Sequence, residues 1–135
     1  MKKAADFTLT ENRRLTDRFS LLTLKGDIPA DVQPGQFVQV RVDNSKTTFL
    51  RRPISINEAD PATGTLRLLI RRAGDGTNAL CDLEPGAVVN MLLPLGNGFT
   101  VPADKSTRIL LVGGGVGVAP MMMLGRVLKD NVLQP

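Results

Sequence analysis

Arg51-Arg52-Pro53-Ile54-Ser55-Ile56 joins two cations, a proline and a hydroxyl in a stretch that reads as a β-strand. Proline has no N–H to give to a ladder, so such a strand belongs at a sheet edge or a bulge. There the freed backbone and a guanidinium can serve a ligand. A glycine turn, Gly74-Asp75-Gly76-Thr77, follows on the C-terminal side. Together the two features point to a site for an anionic, planar ligand.

The segments around this stretch are short. Residues 6–14 and 18–25 are expected to form two strands about a turn at Thr16-Asp17. Gln33-Pro34-Gly35-Gln36 reads as a turn in which glycine supplies the positive φ. Val38, Val40 and Val42 alternate with Gln39 and Arg41, the period of a half-buried strand. Residues 43–48 are polar and loop-like, and the Arg-Pro strand spans 50–57. A turn at 60–64 leads into a strand over 65–72, with Leu66, Leu68 and Ile70 on one face. A short helix is expected over 77–83 and a strand over 87–93. About six antiparallel strands and one brief helix predict an all-β fold, a closed or nearly closed barrel or a sandwich.

The chain's 135 residues are 42% apolar and 22% charged, a globular balance. Nine Pro and thirteen Gly suit strands joined by turns better than a helical bundle. The single cysteine, Cys81, excludes an internal disulfide and fits a cytoplasmic setting. With no His in the chain, a protein-held zinc site of the usual kind is excluded as well. The first residues lack the apolar run of a signal peptide. No segment approaches the roughly 20 apolar residues of a membrane span, so no membrane partner is expected. The net charge is +4, and three Arg pairs stand out at 13–14, 51–52 and 71–72. A nucleic-acid-binding barrel would use such pairs together with aromatic platforms. With no Trp, no Tyr and five Phe, stacking capacity is poor, and no nucleic-acid partner is expected.

The character changes near residue 103. Residues 108–112 form a short apolar run, Gly113-Gly114-Gly115-Val116-Gly117 a glycine loop, and Pro120 opens an amphipathic helix to about Lys129. This is a strand, glycine loop and helix, the first half of a βαβ unit. A parallel strand needs a partner across a crossover, and none follows before Pro135. The chain is therefore expected to be a fragment of a longer protein. Its orphan strand and helix should pack back on the barrel or pair with another copy, because a lone strand edge is adhesive.

Each motif has a plain structural reading beside the functional one. The glycine loop can cradle a pyrophosphate at the helix start or serve only as a tight turn. Gly113 and Gly115 fit the dinucleotide fingerprint, but Val118 takes its last glycine position. Asp130 falls near the spacing of a ribose-binding acid, yet at the end of a helix and not of a second strand. Gly76 and Thr77 can bind phosphate at a helix start or simply cap the helix. Arg52 can bind a pyrophosphate or remain a solvated strand cation. Alternation puts Arg52 and Ile54 on one strand face and Ser55 on the other. One ligand reaches all three only where Pro53 distorts the strand or where the ligand lies along its edge. Leu69-Ile70-Arg71 reads as core followed by surface, Met121-Met122-Met123 as helix packing, and Cys81 as a small apolar helix residue.

Taken in order, Arg52-Pro53-Ile54-Ser55 and the later Gly113-Gly114-Gly115-Val116-Gly117-Val118-Ala119-Pro120 resemble two motifs of the ferredoxin–NADP reductase superfamily. The first is its flavin motif, the second the opening of its nucleotide-binding domain. The forms Leu50-Arg51-Arg52-Pro53-Ile54-Ser55-Ile56, Leu69-Ile70-Arg71-Arg72 and Gly74-Asp75-Gly76-Thr77 look like the electron transfer subunits of bacterial dihydroorotate dehydrogenase B. The resemblance implies a six-stranded antiparallel Greek-key FAD-binding barrel over 1–103. The first strand and helix of an incomplete α/β nucleotide-binding domain would follow over 104–135. It implies that Arg52 holds the FAD pyrophosphate and that Pro53 and Ile54 lie against the isoalloxazine, an aliphatic contact where many relatives have Tyr. Ser55 would bond the ring near its reactive nitrogen, Leu69, Ile70 and Arg71 would line the nucleotide side, and Gly76 and Thr77 would bind phosphate. No catalytic acid or base is implied. The full-length protein would add a [2Fe-2S] centre and an NAD site, whose ligands this chain lacks. Its partner would be an FMN-containing catalytic dihydroorotate dehydrogenase subunit, in a heterotetramer. A diaphorase-type reductase subunit of a sulfide, sulfite or hydrogenase system keeps the same fold and is the alternative.

Overall fold

In the computed structural model, which describes residues 2–130, six strands form one barrel. They are β1 (Lys3–Arg14), β2 (Phe19–Lys25), β3 (Phe37–Val40), β4 (Arg52–Asp60), β5 (Thr65–Arg71) and β6 (Val88–Leu95). All neighbours are antiparallel, and the barrel closes in the order β1-β2-β5-β4-β3-β6. β2 and β3 are not neighbours in the barrel but are separated by two strands, the non-hairpin connection a Greek key requires. The all-β expectation holds, and closure settles barrel against sandwich.

Alternation supplies the core. Phe7 and Leu9 in β1, Leu22 and Leu24 in β2, Leu66, Leu68 and Ile70 in β5, and Met91 and Leu93 in β6 are at most 2% exposed. Each such side chain contributes about 1.5–3 kcal/mol by leaving water. The turn before β3 needs its glycine. Gly35 has φ +99°, and a Cβ there would stand 2.9 Å from the Phe99 ring.

Helix α1 (Asp75–Cys81) begins two residues before the expected 77, because Gly74 and Thr77 cap it earlier. Ala79, Leu80 and Cys81 enter the barrel core from this helix. Burial pushes the Cys81 thiol up from its ordinary pKa, so it stays neutral and acts as the small apolar residue its position suggests.

Arg51 precedes β4 and fastens the barrel on the outside. Its Nη1 donates to the carbonyls of Gln39 (3.2 Å) and Asn90 (3.4 Å), and its Nη2 to Asn90 Oδ1 (2.7 Å). Asn90 Nδ2 in turn donates to Asp6 Oδ1 at 2.8 Å. One guanidinium thus ties the entry of β4 to β3 and β6, and through Asn90 to β1.

The tail differs from expectation in one respect. The run 108–112 is not a strand, because a strand needs a ladder partner and none of the described residues supplies one. Leu110 and Val112 stay exposed. The helix does form, as α2 (Met121–Asp130), after a 3-10 turn at Gly115–Val118. It packs back on the barrel, as expected of a covered orphan. Met123 joins the barrel core, Asn57 Nδ2 donates to the Ala119 carbonyl at 2.8 Å, and Arg126 pairs with Glu58. Leu124 and Leu128 form a second cluster with Val101, Ile109, Leu111 and Met121. An apolar hollow of about 390 Å³ opens beside that cluster.

Two outcomes follow from these ties. Arg51→Met removes all three bonds of the clamp and should lower unfolding free energy by about 1–3 kcal/mol, read from urea denaturation. An unchanged midpoint would show that the guanidinium is only a surface cation. Asn57→Ala leaves the Ala119 carbonyl without its side-chain donor. Limited proteolysis followed by mass spectrometry should then cut within 105–120 faster than in the parent chain, with the barrel intact. Equal cutting rates would mean that Asn57 does not hold the tail.

Candidate functional site

The seam between β4 and β5 is zipped along only part of its length. Toward β3, β4 pairs from Arg52 to Ser55. Toward β5, it pairs only from Ile56 to Asp60, opposite Leu68 to Thr65. Residues 52–55 and 69–71 therefore flank a cleft that no ladder bond crosses. The Ile56 N–H donates to Gln36 O at 3.1 Å, toward β3. By antiparallel alternation Ile54 and Arg52 also turn their peptide groups to β3, while Pro53 and Ser55 turn theirs to the cleft. Pro53 thus occupies a position where its missing N–H costs no ladder bond. The edge position read from the sequence exists inside a closed barrel, as a local edge.

The side chains follow the expected alternation. Pro53 and Ser55 are exposed, whereas Ile54 is 8% exposed and belongs to the barrel core. A ligand lying along this edge meets Pro53 and Ser55 directly, with Ile54 behind them. On the other wall, Leu69 and Ile70 are buried and Arg71 is exposed. The 3-10 turn at Gly115–Val118 lies against β5.

Two of the Arg pairs divide their work in the same way. Arg51 is spent in the clamp, and Arg72 in an ion pair with Asp82 at 2.6 Å that raises its pKa. Arg52 and Arg71, one on each wall, keep their terminal amines without partners among the described residues. Arg52 Nε donates to the Arg51 carbonyl at 3.1 Å, which orients the guanidinium and leaves both terminal amines for a bidentate anion.

Gly76 lies under Arg52. A Cβ there would be 2.9 Å from Arg52 Cδ and 3.0 Å from Thr48 Cγ2, so this glycine makes room for the guanidinium stem. The N–H groups of Asp75, Gly76 and Thr77 precede the first intrahelical bond, from Asn78 N to Gly74 O. Thr77 Oγ1 is already engaged. It accepts from Ala73 N (2.8 Å) and Gly74 N (3.1 Å) and donates to Gly74 O (3.2 Å). Its hydroxyl caps the helix, so what this turn offers an anion is backbone N–H. The Asp75 carboxylate accepts from Thr47 Oγ1 at 2.8 Å, which turns it toward the loop.

Two hollows adjoin Arg52. One of about 170 Å³ runs along Ala73, Gly74, Gly76 and Thr77. The other, about 330 Å³, is bounded by Thr48, Phe49, Leu50, Asp75 and Gly76. The sequence reading passed over Phe49. The available signal was its place, directly after a polar loop and directly before the Arg-Pro stretch.

The donor set suits a pyrophosphate between Arg52 and the Gly76 turn, and the open edge suits a flat ring system. Residues 6–99 match the oxidoreductase FAD-binding domain family. The chain is 40% identical over 132 residues to the electron transfer subunit of dihydroorotate dehydrogenase B (NAD(+)) from Shouchella clausii (strain KSM-K16), covering 96% of this chain and 51% of that one. It is 42% identical over 126 residues to the same subunit from Bacillus caldolyticus, covering 92% and 49%. The chain thus spans about half the length of the curated relatives it matches. Among solved structures, the ferredoxin reductase in carbazole 1,9a-dioxygenase superimposes with a TM-score of 0.81 at 22% identity, over 96% of this chain and 40% of that one. That likeness concerns the fold. With two thirds of its length inside the family match and the cleft placed between β4 and β5, this chain belongs to the oxidoreductase FAD-binding domain family.

Proposed function

We propose that this chain is the FAD-holding part of an electron transfer subunit of NAD-dependent dihydroorotate dehydrogenase B. The observation that carries the FAD reading is the unzipped β4–β5 seam, with Arg52, whose terminal amines have no partner among the described residues, seated over Gly76 at its end. The pathway rests on the identity to the two bacterial subunits. That identity favours it over a sulfide, sulfite or hydrogenase reductase of the same fold.

In this reading residues 1–103 are the FAD-binding domain and residues 104–135 begin the NAD-binding one. Arg52 and the backbone N–H groups of the Gly74–Thr77 turn hold the pyrophosphate. Pro53 and Ser55 face the isoalloxazine along the strand edge, and Ile54 supports them from the core. Leu69, Ile70 and Arg71 form the opposite wall, with Arg71 adding a second cation. Bound FAD supplies the redox chemistry. The chain's own residues bind it, orient it and shield one side from water, and no side chain has to move a proton. A [2Fe-2S] centre takes four cysteine ligands, and this chain has one cysteine. In the whole protein the cluster and the NAD site therefore lie on other residues. The assembled subunit would carry electrons from an FMN-containing catalytic partner, by way of the cluster, to NAD+ in pyrimidine biosynthesis. Its setting is a cytoplasmic heterotetramer. Among the described residues no helix is long and apolar enough to cross a membrane.

Titration with FAD, followed by the visible flavin spectrum and fluorescence, tests the proposal. A chain that acquires no flavin absorbance in excess FAD overturns it. Arg52→Ala should weaken FAD by about 1.5–3 kcal/mol, roughly ten- to a hundredfold. An unchanged titration curve would return Arg52 to the status of a solvated cation. Gly76→Ala should act through Arg52. The atoms in its way belong to flexible side chains, so the fold survives while the guanidinium is displaced. FAD affinity should fall roughly three- to tenfold, and the Arg52→Ala background should abolish that effect. Full additivity of the two changes would show that Gly76 serves something other than Arg52.

A further inference from the structure

We propose that Phe49, with Leu50 beside it, is the seat for the purine end of the dinucleotide. The inference rests on the FAD reading and extends it to a part of the ligand that the Arg-Pro motif does not reach. Phe49 is 91% exposed and Leu50 74%. Single exposed apolar residues need no explanation. These two are consecutive, and they bound the same cavity of about 330 Å³ as Arg52 and Gly76.

The loop that carries them is fastened to α1. Asn44 Nδ2 donates to Ala79 O at 2.8 Å, Thr47 Oγ1 to Asp75 Oδ2 at 2.8 Å, and Ser45 Oγ to Thr48 Oγ1 at 3.0 Å. These ties hold the loop just before Phe49, so less freedom is lost when a ring settles on it. The order along the chain sets the direction. Ser55 and Pro53 face the cleft, Arg52 holds the phosphates, and Leu50 and Phe49 come next on the far side. A dinucleotide with its flavin ring along the β4 edge and its pyrophosphate at Arg52 directs its other base toward Phe49.

The chemistry of the pocket suits the face of a base and not its edge. A phenyl ring and an aliphatic chain offer stacking and apolar contact. The polar side chains at its rim are engaged with one another: Thr47 Oγ1 donates to the Asp75 carboxylate and Thr48 Oγ1 accepts from Ser45. The pocket therefore takes an aromatic base with little readout of which purine it is.

FAD and FMN titrations of the parent chain, Phe49→Ala and Phe49→Trp provide the test. FMN keeps the ring and one phosphate but lacks the adenosine. Phe49→Ala should lose roughly ten- to a hundredfold in FAD affinity, the effect of removing one stacking platform, with FMN affinity unchanged. The side chain is exposed, so thermal unfolding should not move. The chain contains no Trp, so Phe49→Trp places one reporter in the pocket. Its emission should be quenched by ADP and, to a similar degree, by GDP. A Phe49→Ala chain that binds FAD as the parent does, or loses FAD and FMN equally, overturns the purine seat and leaves FAD binding standing. Trp emission indifferent to ADP does the same, and would assign this face to solvent or to another protein. A parent chain that binds no FAD removes both this inference and the function on which it rests.

Discussion

Proline at position 53 cannot donate to a ladder, and the architecture of the site follows from where that missing N–H points. A barrel of six strands has no edges when every seam is zipped. Here β4 turns Pro53 away from β3 and toward β5, and the β4–β5 ladder does not form along residues 52–55. The result is an edge inside a closed barrel. Backbone groups that a complete ladder would have consumed remain available, and they lie in line with a guanidinium. The β3 ladder holds the same residues from the other side, so the opening carries little strain. The barrel stays rigid while one seam stays open.

The two arginines before the proline show how a charged ligand can be met without destabilising the fold. A cation held in place by internal partners has few donors left for anything else, and a cation with no partner wanders. Arg51 takes the first role; Arg52 avoids both, because the bond from its Nε to the Arg51 carbonyl holds it while its terminal amines stay without partners among the described residues. The clamp fixes a backbone oxygen, and that oxygen aims the guanidinium next to it. With the same division at Arg71 and Arg72, each side of the cleft keeps one guanidinium whose terminal amines have no partner among the described residues. Gly76 completes the arrangement by omission, since any Cβ there would displace the Arg52 stem.

Much of this could be read from the chain before its structure. The alternation of Val38 with Val40 and of Leu66 with Leu68 and Ile70 names the inward face directly, because a barrel strand has one wet and one dry side. Pro53 correctly called for an edge. What could not be read depends on contacts between distant residues. The role of Arg51 rests on Asn90, far along the chain, and no local pattern announces that pairing. Alternation already parts Ile54 from Ser55, but only the barrel shows that Ile54's face is the core and Ser55's peptide group turns to the cleft. The run at 108–112 has the composition of a strand, yet composition does not provide a ladder partner. Phe49 could be overlooked because a lone aromatic after a polar loop has no periodicity to mark it.

The second half of β4 explains why the tail sits where it does. The register with β5 shifts between Ile56 and Glu58, and the bulge leaves both Ile56 and Asn57 buried. Ile56 points into the barrel, and Asn57 meets the carbonyl of Ala119 just before α2. Glu58, one residue on, pairs with Arg126 of that helix. A single strand therefore carries the open edge in residues 52–55 and the anchor of the glycine loop and α2 in residues 57–58. Any displacement of α2 would have to be absorbed within a few residues of the open edge. Placing the open edge and the side-chain anchors of α2 on one hydrogen-bonded strand, separated by a bulge, fixes their spacing along the backbone.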